Sequence, residues 1–124
     1  MFKASDPLVN DFRVDVAGAL VAAQTVLPSM RAQRKGCILF TGGGWAHYPW
    51  DEAASIGIGK AGLRSLAHVL AQELADSGVR IGIISIMGQV APATPFDPIA
   101  IGQVFLQMYE RASSEHETEL LFKG

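Results

Sequence analysis

From Leu8 to Gln33 apolar residues return at three- and four-residue steps: Phe12, Val16, Leu20, Ala23, Leu27 and Met30. That is the spacing of one helix face, and it predicts a helix over 8–33. Residues 1–7 read as an untethered start, with Asp6 and Pro7 as cap and first-turn residue. Pro28 falls inside the pattern and predicts a kink or an early end. Cys37-Ile38-Leu39-Phe40 is a continuous apolar run after Gly36, which predicts a strand over 37–41 buried on both faces, as in a parallel sheet. Thr41-Gly42-Gly43-Gly44 ends it. Asp51 is the expected cap of a second helix over 51–76, with Gly78 as its stop. Val79 to Met87 is a second buried strand. Gly88 to Pro95 is a loop, and Asp97-Pro98 opens a third helix with Ile101, Val104, Phe105 and Met108 on its apolar face. Residues 113–117 form a polar turn, and Glu119-Leu120-Leu121-Phe122 a final short strand.

Helix and strand thus alternate three times. Such alternation predicts an α/β fold: a three-stranded parallel sheet with three helices crossing between the strands. No repeat and no linker interrupts the pattern, so residues 1–124 read as a single domain.

Composition narrows the function classes. The chain of 124 residues is 49% hydrophobic and 18% charged, enough for a modest core and too apolar for a disordered tail. A net charge of −2 predicts neither nucleic acid nor an anionic membrane as partner. The densest basic cluster, Arg31, Arg34 and Lys35, suits a helix C-terminus. A single cysteine, Cys37, excludes an internal disulfide framework and fits a reducing, cytoplasmic setting. Cys37 itself reads as core. No apolar run is long enough to span a membrane, and the first residues are too polar for a signal peptide.

The candidate chemistry gathers between Cys37 and Leu70. Gly57-Ile58-Gly59-Lys60-Ala61-Gly62 has the letters of a dinucleotide fingerprint. The fingerprint needs its glycines in the tight turn between strand and helix, and here they fall well inside the predicted helix. The phosphate-loop pattern fails at Ala54 and Ala61. Ala53, Gly57, Ala61 and Ser65 stand four apart and predict a helix face for close packing against another element or another copy. Lys60 stands one turn after Ile56, on a different face, where an isolated lysine is ordinarily solvated. Gly42-Gly43-Gly44 is either an anion-binding nest or a flexible turn. Trp45, Tyr48 and Trp50 either roof a pocket or cover the sheet end. His47, His68 and His116 have no partners at metal-ligand spacing, so no metal is expected.

These pieces together resemble the C-terminal half of a short-chain dehydrogenase/reductase. Phe12 to Leu20, with Gln24 and Leu27-Pro28-Ser29-Met30, is similar to the crossover helix before the family's fifth strand, and Gly36 to Phe40 to that strand. Ala54-Ser55 and Lys60-Ala61-Gly62-Leu63 resemble the helix bearing the Tyr-x-x-x-Lys motif, and Val79-Arg80-Ile81 begins the sixth strand. The resemblance implies a partial Rossmann-like, doubly wound fold.

It also implies a depleted active site. The family's acid/base tyrosine, four residues before the lysine, falls on Ile56. Its substrate-holding serine falls on Gly43, and its proton-relay asparagine on Asp15. Only Lys60 remains, which in the family holds the cofactor ribose and lowers the tyrosine's pKa. The Pro-Gly after the sixth strand appears as Met87-Gly88. Tyr48 precedes the helix and cannot replace the missing tyrosine by spacing. The family's glycine-rich dinucleotide turn belongs to the half that is not matched. The expectation is therefore a protein without oxidoreductase activity or cofactor on its own, working through association. NAD or NADP would enter only if the fold is completed by a longer chain or a partner. Association is expected through helices 8–33 and 51–76 and the open edge of strand 37–41, as a homo-oligomer or with a completing chain. A small binding module using the Trp45–Trp50 loop is a third reading.

Overall fold

The computed structural model describes residues 6–111 and 116–124. The start expected at 1–7 and the turn expected at 113–117 therefore lie largely outside the described residues. Strands β1 (Gly36–Gly43), β2 (Val79–Ile86) and β3 (Glu119–Phe122) form one parallel sheet in the order β1-β2-β3. Gly36 pairs with Val79 and Gly43 with Ile86, while Ile83 pairs with Glu119 and Ile86 with Phe122. The helices are α1 (Asp6–Phe12) and α2 (Gly18–Gln33), joined by a π-helical turn at Arg13–Ala17, then α3 (Ala54–Glu73) and α4 (Pro98–Glu110). Phe12, Ala17 and Gly18 all keep right-handed helical angles, so α1, the π turn and α2 form one continuous rod. The fold is the expected three-stranded, partial Rossmann-like sheet with three helical rods.

Alternation along β2 explains the layers. Val79, Ile81 and Ile83 join Ala23 and Leu27 of α2 and Leu63, Ala67 and Leu70 of α3 in one buried cluster. Ile84 and Ile86 join Ile101 and Met108 of α4 in a second. Successive strand residues point to opposite faces, so a strand covered on both sides is apolar throughout. Both clusters sit against β2, the middle strand. The far edge of β1 has no strand beside it among the described residues.

Several local expectations shift. Helix α2 continues through Pro28. Pro28 and Gln24 are both exposed, so the carbonyl that loses its amide partner faces water. The irregularity falls instead at the π turn around Asp15. Asp51 does not cap α3: Trp50 is the extended residue, and Asp51–Ala53 is a separate 3-10 turn. Helix α3 ends at Glu73, before the predicted 76, because Ser77 takes over the chain ends. Its hydroxyl donates to the Leu74 carbonyl at 2.7 Å and accepts from the Val79 amide at 3.0 Å. Gly78, with φ +83°, then makes the turn into β2, where a Cβ would run into the Arg34 carbonyl. The third helix starts as the sequence predicts: Asp97 accepts from the Ile99 amide at 2.8 Å, with Pro98 at the first helical position. The Asp97 carboxyl lies below its ordinary value because the Ala93 and Ile99 amides both donate to it.

Candidate active site at the carboxyl end of the sheet

The site is built where β1 and β2 end. Ligands of open parallel sheets are held at the carboxyl ends of the strands. Gly42 and Gly43 continue β1 rather than turning, since both pair with β2. Gly43 is extended (φ −144°, ψ 158°), and no glycine from 42 to 44 has a positive φ. The alternating backbone of an anion-binding nest is therefore absent there. Small size is what this segment needs. A Cβ on Gly42 would stand 2.6 Å from Ser85 Oγ and 3.1 Å from Ile83 Cδ1, and one on Gly43 would meet nothing nearer than Lys60 Cγ at 3.6 Å.

The four positions singled out in the sequence converge. The π turn carries Asp15 toward α3, and Lys60 Nζ lies 3.5 Å from Asp15 Oδ1. Gly59 permits this approach, because a Cβ there would sit 2.5 Å from Asp15 Oδ2. Lys60 Nζ also donates to the Thr41 carbonyl at 3.3 Å. Lys60 is thus neither a solvated lysine nor a free cation: its ammonium bridges the first helical rod to β1. Gly43, Ile56 and Lys60 all line a cleft of about 870 Å³, with Trp45, Tyr48 and Met87 on its other walls. Gly43 and Ile56 present no hydroxyl to it. Tyr48 shares the cleft but is largely exposed.

The aromatic loop does two things. Trp45 and Tyr48 wall the cleft, and the Trp45 ring lies tilted by 41° against Trp50 at a centroid distance of 5.7 Å. The Trp45 backbone also presses on α3, where a Cβ at Gly57 would lie 3.1 Å from the Trp45 carbonyl. Of the small-residue stripe, Ala53 and Gly57 are buried while Ala61 and Ser65 are exposed. The first rod packs on Gly59 and Gly62 instead, beside Asp15 and Val16.

A second polar cluster was not legible in the sequence. Glu119, at the start of β3, is nearly buried and accepts two hydrogen bonds from Arg64 Nε, at 3.0 and 2.8 Å, and one from Arg64 Nη2 at 2.8 Å. His47 Nε2 lies 3.0 Å from Glu119 Oε2, the Ser85 hydroxyl 3.2 Å, and His68 Nε2 3.6 Å from Oε1. Two histidines that sequence spacing leaves isolated thus meet one carboxylate, because α3, β2, β3 and the loop after β1 stack here. Burial pushes the Glu119 carboxyl up. The Arg64 hydrogen bonds and charge, the Ser85 hydroxyl and the nearby His47 outweigh it and hold the group at about 2. Among the described residues no cluster of three or more His, Cys, Asp or Glu could hold a metal ion. Cys37 is half-buried, and its thiol is pushed up by burial against the opposing charge of Arg80. Arg80 caps α4 by donating to the Tyr109 and Arg111 carbonyls. Among the described residues no helix is long and apolar enough to cross a membrane.

A doubly wound parallel sheet with a lysine-bearing helix beside the first strand's end defines a Rossmann-like protein. Comparison with known proteins makes the class narrower. The family model for short chain dehydrogenase matches residues 3–94, and the chain belongs to that family. It is 39% identical over 74 residues to 2,3-dihydro-2,3-dihydroxybenzoate dehydrogenase of Escherichia coli, a match covering 60% of this chain and 30% of that protein. Its fold is similar to a short-chain dehydrogenase from Rhodopseudomonas palustris (TM-score 0.84, 21% identity, 98% of this chain and 53% of that one). It is also similar to the closed form of a serine dehydrogenase complexed with NADP+ (TM-score 0.79, 17% identity, 86% and 51%). The chain spans about half the length of these solved structures.

Proposed function

We propose that this chain is a short-chain dehydrogenase-like unit without oxidoreductase activity on its own, working through association with another chain. The observation that carries the reading is the side chains around Lys60. Reduction or oxidation of a carbonyl by this family's chemistry needs a proton donor within reach of the reacting oxygen. Ile56 and Gly43 face the cleft with no group able to give or take a proton. The Lys60 ammonium, which in the family serves cofactor and tyrosine, is engaged by Asp15 and the Thr41 carbonyl. The residues present therefore do not fit a catalytic nicotinamide nucleotide.

Association is supported by the open edge of β1, a template for a further strand, and by the apolar residues standing out from the helices. Val14 and Val21 on the first rod and Ile58 and Val69 on α3 are all exposed. A second copy or a completing chain would cover them. The single thiol fits a reducing, cytoplasmic setting. Two measurements test the proposal. Light scattering at micromolar concentration is expected to give a dimer or larger species, and a clean monomer that binds no hydrophobic dye refutes association. NADPH fluorescence is expected not to change on adding the chain, and a saturable change refutes the absence of cofactor.

A second reading has one observation in its favour. Lys60 keeps the family's lysine position on the matching helix, and one solved relative of the same fold is complexed with NADP+. The alternative is an NAD(P)-dependent oxidoreductase whose cofactor-binding half comes from a longer natural chain or a partner. It predicts that a completed chain binds NADPH and turns over slowly, whereas the first reading predicts no turnover even then.

A further inference from the structure

Trp45 borders a second hollow, separate from the Lys60 cleft. Trp50, Asp51, Gly57, Ile58 and Ala61 line it with Trp45, and its volume is about 320 Å³. Gly57, Ile58 and Ala61 belong to a face of α3 used neither by the first rod, which packs on Gly59 and Gly62, nor by the Lys60 cleft, which Ile56 and Lys60 wall. Both tryptophans are open to solvent, at 41% and 48% exposure. The backbone holds them in place: the His47 amide closes the Trp45 turn on the Gly44 carbonyl at 3.0 Å, and the Ala53 amide donates to the Trp50 carbonyl at 3.0 Å. Large aromatic rings fixed open around one small concavity mark a place that takes up a ligand group.

Geometry and charge say which group. The two ring centroids are 5.7 Å apart, so one cation can stand within about 6 Å of both, the reach of a cation–π contact. Asp51 is the one charged residue of the lining. Asp51 and its neighbour Glu52 are exposed and have no cation within ion-pair distance among the described residues. Their two charges outweigh the roughly half positive charge at the start of α3. The hollow is thus a positive-charge acceptor with aromatic walls. A primary ammonium brings three donors that need acceptors, and beside Asp51 the walls are apolar side chains. A quaternary ammonium has a methyl-covered surface, one positive charge and no donor, and it suits these walls.

We propose that the hollow between Trp45 and Trp50 binds a trimethylammonium group, with Asp51 as its counter-charge. The proposal rests neither on the absence of oxidoreductase activity nor on association. Its test is a titration of the whole chain with choline and with 3,3-dimethylbutan-1-ol, the neutral isostere in which carbon replaces the quaternary nitrogen, by calorimetry and by intrinsic tryptophan fluorescence. Choline is expected to bind saturably and the isostere about tenfold more weakly, the size of a partly desolvated cation–π contact. W50L keeps an apolar wall without the aromatic face and is expected to bring choline down to the isostere level. D51N is expected to weaken choline and leave the isostere unchanged. Y48L, which alters the Lys60 cleft alone, is expected to change neither. A short peptide bearing trimethyllysine separates two sources of the group: tighter binding than choline assigns a methylated protein, and equal or weaker binding assigns a free small molecule. Equal affinity for choline and its isostere, no saturable choline binding, or loss on Y48L rather than W50L would each overturn the proposal.

Discussion

Two polar clusters lie on this sheet, and they are built in opposite ways. Around Lys60, at the carboxyl end, one ion pair of 3.5 Å and one long hydrogen bond are the only polar contacts of the ammonium among the described residues, and the neighbouring positions are an isoleucine and a glycine. Around Glu119, on the α3 face of the sheet, five hydrogen bonds from two elements and the loop after β1 converge on one nearly buried carboxylate. The first cluster is sparse and the second is dense. The contrast teaches that the polar contacts of this chain concentrate where helix, sheet and loop are held together, while the cleft beside Lys60 is walled mostly by apolar side chains. The His47–Glu119 contact also ties the aromatic loop to β3, so the cleft wall is held by the dense cluster.

The largest effect should come from removing the centre of that cluster. E119A leaves Arg64, Ser85 and His47 facing a carboxylate that is gone, and taking one partner from a buried charged network costs about 3–5 kcal/mol. Urea unfolding followed by circular dichroism measures it. A loss below about 1 kcal/mol would put the two clusters on equal footing.

Acid comes next. The folded-state pKa of Glu119 lies below its ordinary value, so its contribution is fully present above pH 4.5 and is lost as pH falls toward about 2. A lowering from 4.5 to about 2 corresponds to about 3 kcal/mol. Stability measured from pH 6 to pH 2 should fall over that window in the native chain, and E119Q should flatten the fall. An unchanged slope in E119Q would assign the acid sensitivity elsewhere.

Adjacent glycines offer a sharper contrast. A Cβ on Gly42 would press on Ser85 and Ile83, while one on Gly43 has room. G42A should cost about 1–3 kcal/mol by overpacking, and G43S less than about 0.5 kcal/mol, as expected of a site without packing constraints. Equal losses in thermal melts would show that the cleft is packed after all.

The smallest effect belongs to the Lys60 pair. D15N should change stability by no more than about 1 kcal/mol, because the pair is partly exposed. It should, however, raise the acylation rate of Lys60 seen by peptide mass spectrometry. An unchanged rate would mean that Asp15 does not hold the ammonium.

The sequence by itself determined the elements that local physics dictates. The 3.6-residue recurrence in 8–33, the apolar runs after Gly36 and Gly78, and the Asp97-Pro98 start all appear where their periodicity and capping chemistry place them. The resemblance also singled out Asp15, Gly43, Ile56 and Lys60 as positions to follow, because identity and spacing are read along the chain. Tertiary structure decided what spacing cannot carry. Glu119 lies 72 residues from His47, 55 from Arg64 and 34 from Ser85, and no periodic signal links them. Their meeting follows from the parallel order of three strands with α3 laid across them. Likewise the π turn at Arg13–Ala17 and the bare surface of Gly59 let Asp15 reach Lys60. A helix pattern in sequence does not distinguish a turn of 3.6 residues from a wider one. The packing against α3 does, because it sets how far the chain must rotate to bring that carboxylate to the lysine.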